Sequence, residues 1–181
     1  MATGRTHETI NLVALGALAA GYVIGTANGV ATEFTANISP QMRLVFGVSY
    51  LIGTFLVTPD LDLAEGHVRA KSNWGLLGLL WVPYGLIFRH RGLSHTWLVG
   101  PLTRLLYMVM LGLVTCSLIS ALGPYLGYTF SIEAQLSRNW LDLAVGALAG
   151  YYLSQWLHLI ADGLWPDPRI PRGRRRTVRR R

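Results

Sequence analysis

Apolar residues along this chain do not recur with the three-to-four spacing of an amphipathic surface helix; they run on without interruption. No charged residue occurs between Glu8 and Glu33, or between Arg104 and Glu133. Each of these stretches exceeds the roughly 20 residues with which a helix crosses about 30 Å of hydrocarbon. Residues 44–59 form a shorter, dense run (LVFGVSYLIGTFLVTP), and residues 143–161 hold no charge beyond what His158 carries. A soluble core in a chain of this length cannot absorb four such segments. The pattern therefore predicts an all-α integral membrane protein with four transmembrane helices near 10–30, 42–58, 97–122 and 140–162. Gly16, Gly21, Gly25, Gly146 and Gly150 lie inside these runs, as expected where small residues let helix backbones approach in lipid. The first run is longer than the roughly 7–15 apolar residues of a signal peptide, so it is read as retained.

A fifth apolar stretch, residues 74–88 (WGLLGLLWVPYGLIF), is short for a crossing, and Pro83 is expected to break any helix through its middle. We read it as a short re-entrant or interfacial helical segment. With four crossings, the N-terminus, the 59–73 segment, the 89–96 segment and the C-terminus emerge on one face. Charge supports this arrangement. The chain has 181 residues, 16 of them Lys or Arg, with a formal net charge of +7. Arg5, Arg69, Lys71, Arg89, Arg91 and the arginines of the tail fall on that face, whereas the opposite loops hold Arg43 and Arg138. The positive-inside bias makes the rich face cytoplasmic, which predicts a multi-pass protein of a bacterial inner membrane with both termini in the cytoplasm. The single cysteine, Cys116, lies in an apolar run, so neither a disulfide framework nor a thiolate metal cluster is expected.

The same topology gathers polar residues at one depth. His7 opens the first helix, Asp60 and Asp62 follow the second in Pro59-Asp60-Leu61-Asp62, His90 and His95 bracket His-Arg-Gly-Leu-Ser-His before the third, and His158 and Asp162 close the last. Ionisable groups at such a depth are costly unless they are paired or bind a metal. His158 and Asp162 are four apart, so both project from one stripe of a helix, a single turn from each other. Asp60 and Asp62 cannot share a face of a regular helix. Either the backbone is irregular there, or one carboxylate binds a cation while the other orients a ligand. Ser94 is a reasonable N-cap, with His95 in the first turn that follows. Taken alone, Asp60 could cap a turn, and His7 and His90 could be ordinary interfacial side chains.

His7 ahead of an apolar helix, PDLD, Trp81-x-Pro83-Tyr84, HRGLSH, Gly100-x-x-x-Arg104-x-x-Tyr107 and His158-Leu-Ile-Ala-Asp162 together resemble a bacterial family of predicted metal-binding membrane proteins. More distantly they resemble the LexA-regulated inner-membrane metal-dependent hydrolases, which share PD-x-D, H-R-x-x-[ST]-H and H-x-x-x-D. The resemblance runs from His7 to Asp162 and leaves out residues 123–139 and the tail. It implies a metal centre and hydrolysis.

The ligand set of His7, Asp60, Asp62, His90, His95, His158 and Asp162 is imidazole and carboxylate without thiolate. Such a set suits Zn²⁺ first, with Mn²⁺ or Fe as alternatives. The expected chemistry is attack of activated water on an ester or phosphoester, with a phospholipid or similar amphiphile as substrate. Arg91 and Arg104 are the expected catalytic cations, neutralising the developing oxyanion. Arg91 could instead face headgroups, and Arg104 could snorkel or pair with Asp142 or Glu133. Glu65 and His67 sit in a solvated stretch and are left out. Trp74, Trp81, Tyr84, Trp97, Trp140, Trp156 and Trp165 read as interfacial anchors. Residues 1–168 are expected to form one helical membrane domain and residues 169–181 an Arg-rich tail for anionic lipid headgroups, in preference to nucleic acid. The competing function class is a non-catalytic membrane scaffold or assembly protein with a structural metal.

Overall fold

The architecture follows from where the long apolar runs are interrupted. A computed structural model describes residues 4–30, 35, 38–63, 69–88, 93–128 and 138–165, and among them every regular element is helical. Four principal helices correspond to the four expected runs: α1 (Gly4–Ala27), α2 (Pro40–Phe55), α5 (Val99–Leu122) and α6 (Trp140–Ala161). Between them lie two short helices, α3 (Arg69–Asn73) and α4 (Val82–Ile87), and 3₁₀ turns at Pro59–Asp62, Gly75–Trp81 and Leu93–His95. The tail expected at 169–181 lies outside the described residues.

The boundaries have local causes. Ser39 caps α2 by accepting a 3.1 Å hydrogen bond from the Met42 N–H, and Pro40 occupies the first turn, where no backbone donor is needed. The helix ends at Phe55, three residues earlier than expected, and Thr58 is extended (φ −92°, ψ 163°), as a residue before proline prefers. Pro83 does not break a helix as anticipated: it stands in the first turn of α4 and so starts one. Ser94 is likewise not the cap of α5. It sits in the Leu93–His95 turn, and it is the Thr96 Oγ1 that accepts the Gly100 N–H, at 3.0 Å.

α2 and α6 run parallel and form the closest helix pair. Gly146 faces Met42, Gly150 faces the Phe46 carbonyl and Ser49, and Gly53 faces Ser154 and Gln155. A Cβ on Gly146 would stand 2.9 Å from the Met42 carbonyl oxygen, so the separation of these axes requires glycine. Gly16 and Gly21 of α1 have open space where a Cβ would project, so the packing role expected of them is not used. α1 lies antiparallel to this pair. Its far end meets the start of α2, where the Arg43 guanidinium covers the Tyr22 ring at 5.3 Å. The 74–88 segment attaches to the same end of α2 that holds the Pro59–Asp62 turn, since Trp74 Nε1 donates to the Leu56 carbonyl at 2.8 Å and Asn73 to Phe55 at 2.9 Å. Trp81, Tyr84 and Tyr107 stack beside it into an aromatic core with Val57, Leu61 and Tyr151.

The core is concentrated at that end. Along the rest of α1 and α5, residues such as Val13, Val23, Ile24, Leu113, Leu118 and Leu122 face outward. Among the described residues, two helical stretches, Gly4–Ala27 and Val99–Leu126, are long and apolar enough to cross a membrane. α2, with 16 residues, is short for a crossing, and α6 carries a buried polar stripe of Ser154, Gln155 and His158.

Substituting Gly150 with Ala is expected to lower the thermal midpoint by several degrees, because overpacking costs about 1–3 kcal/mol and each kcal/mol is worth about 2–4 °C in a chain of this size. Gly21→Ala is expected to leave the midpoint unchanged or raise it, alanine being the better helix former. Circular dichroism melts check both, and a Gly150→Ala melt superimposing on the wild type would contradict the α2–α6 contact.

Candidate metal centre

A buried polar seam joins α1, α2 and α6. Asn11 Nδ2 donates to Thr54 Oγ1 and to the Ser154 carbonyl, both at 3.2 Å, Tyr50 donates its hydroxyl to the Asn11 carbonyl at 2.8 Å, and Gln155 Nε2 donates to Gly53 at 3.0 Å. His7 lies one turn from Asn11 and His158 one turn from Ser154. The hydrogen bonds that hold the seam in register therefore also bring these two histidines together. Their rings stack with centroids 3.9 Å apart and planes 13° from parallel.

Carboxylates close around them. Asp162, at the C-cap of α6, places Oδ1 3.3 Å from His7 Nε2 and Oδ2 3.7 Å from His158 Nε2. Asp60 Oδ2 stands 3.6 Å from the same His158 nitrogen. The Pro59–Asp62 segment is the irregular backbone that the sequence left open. Three residues per turn send Asp60 and Asp62 to different partners. Asp60 turns to His158, while Asp62 Oδ2 lies 3.1 Å from His95 Nδ1 and accepts a short hydrogen bond from Ser94 Oγ. Asp62 thus fixes the His95 ring through Nδ1. Two sets of three donors lie within 4.8 Å of one another: His7, His158 and Asp162, and Asp60, His95 and Asp162.

These donors fit a cation better than they fit one another. His158 Nε2 is buried without a hydrogen-bond partner, facing two carboxylates too distant to accept its proton well. A tetrahedral ion with bonds of about 2.0–2.1 Å holds its donors about 3.3–3.4 Å apart, close to the 3.3–3.7 Å found. Burial pushes the Asp60 carboxyl up, but its pairing with His158 and the nearness of His7 and His95 outweigh burial and hold it below the usual carboxylate value. It is thus ready as an anionic donor.

His7, Asp60, His95, His158 and Asp162 converge, with Asp62 behind His95. His90 and Arg91 lie outside the described residues, as do Glu65 and His67. Arg104 neither snorkels nor pairs with Asp142. It is fully buried, donates from one terminal nitrogen to the Ser94 carbonyl at 3.0 Å, and so supports the turn that carries His95. Three residues were missed. Glu8, which the sequence showed only as the edge of an apolar run, lines a pocket with His7, Thr58, Asp60, Arg69 and His158, and its Oε2 pairs with Arg69 Nε at 2.9 Å. Thr58 Oγ1 is buried there without a hydrogen-bond partner. Adjacency of Glu8 to His7 was a usable signal, but neither Thr58 nor Arg69 carried one.

Arg104 Nε and its other terminal nitrogen have no hydrogen-bond partner among the described residues. A buried cation so poorly satisfied weakens a fold. Arg104→Met is therefore expected to keep or raise the thermal midpoint while lowering cation affinity several-fold through the loosened His95 turn. A melt paired with a Zn²⁺ titration checks this, and unchanged affinity would count against the supporting role.

A protein of Aquifex aeolicus (strain VF5), described as an uncharacterized protein, is 39% identical over 71 residues, which is 39% of this chain and 49% of the relative. The chain thus spans about half the length of the curated relative it matches. No solved structure matches. The pairing of imidazoles with carboxylates at one buried helix end agrees with the family model that covers residues 2–170: the chain belongs to the family "Uncharacterized metal-binding protein (DUF2227)".

Proposed function

We propose that the chain is a membrane-embedded, metal-dependent hydrolase of an ester or phosphoester, working at the cytoplasmic face of a bacterial inner membrane. The observation that carries the reading is a small cavity of about 20 Å³, room for a water molecule, lying directly against His7, Asp60 and His158, with Arg69 exposed at its rim. A purely structural site needs no such opening. Bound in this donor set, a divalent ion, Zn²⁺ before Mn²⁺ or Fe, polarises a substrate oxygen and makes water a better nucleophile.

The chain's own residues divide the remaining work. His7, His158, Asp60, His95 and Asp162 would hold metal at this centre, and Asp62 fixes the ring of His95 through Nδ1. Glu8, held by its 2.9 Å pair with Arg69, accepts the proton of the attacking water at its carboxylate. Thr58 Oγ1 orients a polar group within the pocket. The likeness of PDLD, HRGLSH and HLIAD to the LexA-regulated hydrolases favours hydrolysis. The outward leucines and valines of α1 and α5 favour lipid around the bundle, with α2 and α6 as further membrane helices and the arginines of 169–181 on anionic headgroups. An amphiphilic phosphoester would reach the pocket from that leaflet.

A second reading has its own support. The cluster joins the start of α1, the end of α2 and the end of α6, so a cation there would also tie three helices, as a scaffold with a structural metal requires.

Elemental analysis of the purified chain beside a His158→Ala/Asp162→Ala variant is expected to show metal in the wild type and none in the variant; equal content would refute the centre. Loss of metal with retained helicity favours the hydrolase and justifies a phosphoester screen, whereas loss with unfolding favours the scaffold. Asp62→Asn is expected to weaken cation affinity by about 10–100-fold. Alkaline carbonate extraction of cell membranes is expected to leave the protein in the pellet, and release to the supernatant would overturn the membrane-embedded reading.

A further inference from the structure

Resting on the metal-centre reading above, we infer that the centre takes two divalent cations bridged by Asp162, one held with His7 and His158 and the other with Asp60 and His95. The two donor sets share Asp162 alone, and His7 and His95 fall in different sets. Two donors of one ion stand at most about 4.2 Å apart, twice a bond of ~2.1 Å. His7 and His95 share no such set, so each is assigned its own ion.

Asp162 is suited to that role by position. It caps α6, where the chain turns away at Gly163 (φ 75°), and it is the residue common to both sets. Its Oδ1 lies 3.3 Å from His7 Nε2 and its Oδ2 3.7 Å from His158 Nε2, and a carboxylate oxygen of the same residue also lies within 4.8 Å of ligand atoms of Asp60 and His95. A carboxylate offers about four lone-pair sites and can serve two ions.

Charge leads to the same count. Asp60, Asp162 and the Asp62 behind His95 bring three negative charges into a buried region, His95 and Asp62 being 8% and 2% exposed. A single dication leaves a net negative charge away from water, which is costly. Two dications balance three carboxylates together with one anionic oxygen ligand such as hydroxide or a phosphoester oxygen. A pair of cations clamping the attacking and leaving oxygens is the arrangement in-line displacement at phosphorus favours, so the two-ion centre narrows the substrate class from esters at large to phosphoesters.

The test counts metal and reads coupling, without any substrate. The full chain, purified in detergent, is loaded with Zn²⁺, freed of excess by gel filtration and analysed for metal. Two ions per chain are expected for the wild type, one each for His95→Gln and His7→Gln, and fewer than one for Asp162→Asn, with circular dichroism confirming helicity. Loaded with Mn²⁺, the wild type is expected to give the multiline electron paramagnetic resonance signal of a spin-coupled pair, and His95→Gln the simple mononuclear pattern. One ion per chain at saturation, or an uncoupled signal from a protein holding two, overturns the inference. In the first case the single-ion centre stands if His158→Ala abolishes binding; a wild type that binds no metal overturns the centre itself. The wild-type count and signal need no variant, so a substitution that fails to fold leaves the test decisive.

Discussion

Three histidines and three aspartates share one buried end of a helical bundle, and the cost of holding that much ionisable chemistry away from water sets the terms for the rest of the structure. None of these groups is satisfied by its own element. His7 needs Asp162 from the far end of the chain, His158 needs Asp60 from the turn after α2, and His95 needs Asp62 across the intervening aromatic segment. The site exists only where four segments meet, the start of α1, the Pro59–Asp62 turn, the Leu93–His95 turn and the end of α6, and it is stable only if their register is held to within a fraction of a helical turn.

That register comes from the seam beneath the site. Asn11, Tyr50, Thr54, Ser154 and Gln155 are linked by hydrogen bonds across three helices in an apolar surrounding, where breaking one would be expensive, and so they lock α1, α2 and α6 at one relative height. The close approach of α2 to α6 makes this possible, because Gly53, Gly146 and Gly150 remove the side chains that would hold the axes apart. α6 therefore serves two purposes on one surface: a glycine stripe for packing and, further along it, Ser154, Gln155 and His158.

Packing is uneven along the bundle. Aromatic and aliphatic residues close around the site end, while the outer stretches of α1 and α5 leave leucine, isoleucine and valine outward. A chain built this way concentrates rigidity where donor geometry matters. It leaves the covering of the remaining apolar surface to its surroundings.

Much of this was legible beforehand. The four long helices follow from uninterrupted apolar runs, and the His158–Asp162 pair follows from helical periodicity alone. PDLD could be recognised as irregular because proline and i, i+2 spacing forbid a shared helical face. Other features depend on side chains distant in sequence. Whether Ser94 caps a helix or binds Asp62, whether Arg104 reaches an interface or supports the His95 turn, and whether Glu8 is only the edge of a run or the wall of a pocket were decided by what folded against them. Gly150 and Gly21 look alike in a sequence, yet one is pressed against a backbone and the other faces open space. Local order along the chain dictates which residues are helical and which donors exist, because period and proline act over a few residues. Which donors share a centre was left to the tertiary structure, because that depends on the axial register of helices more than a hundred residues apart.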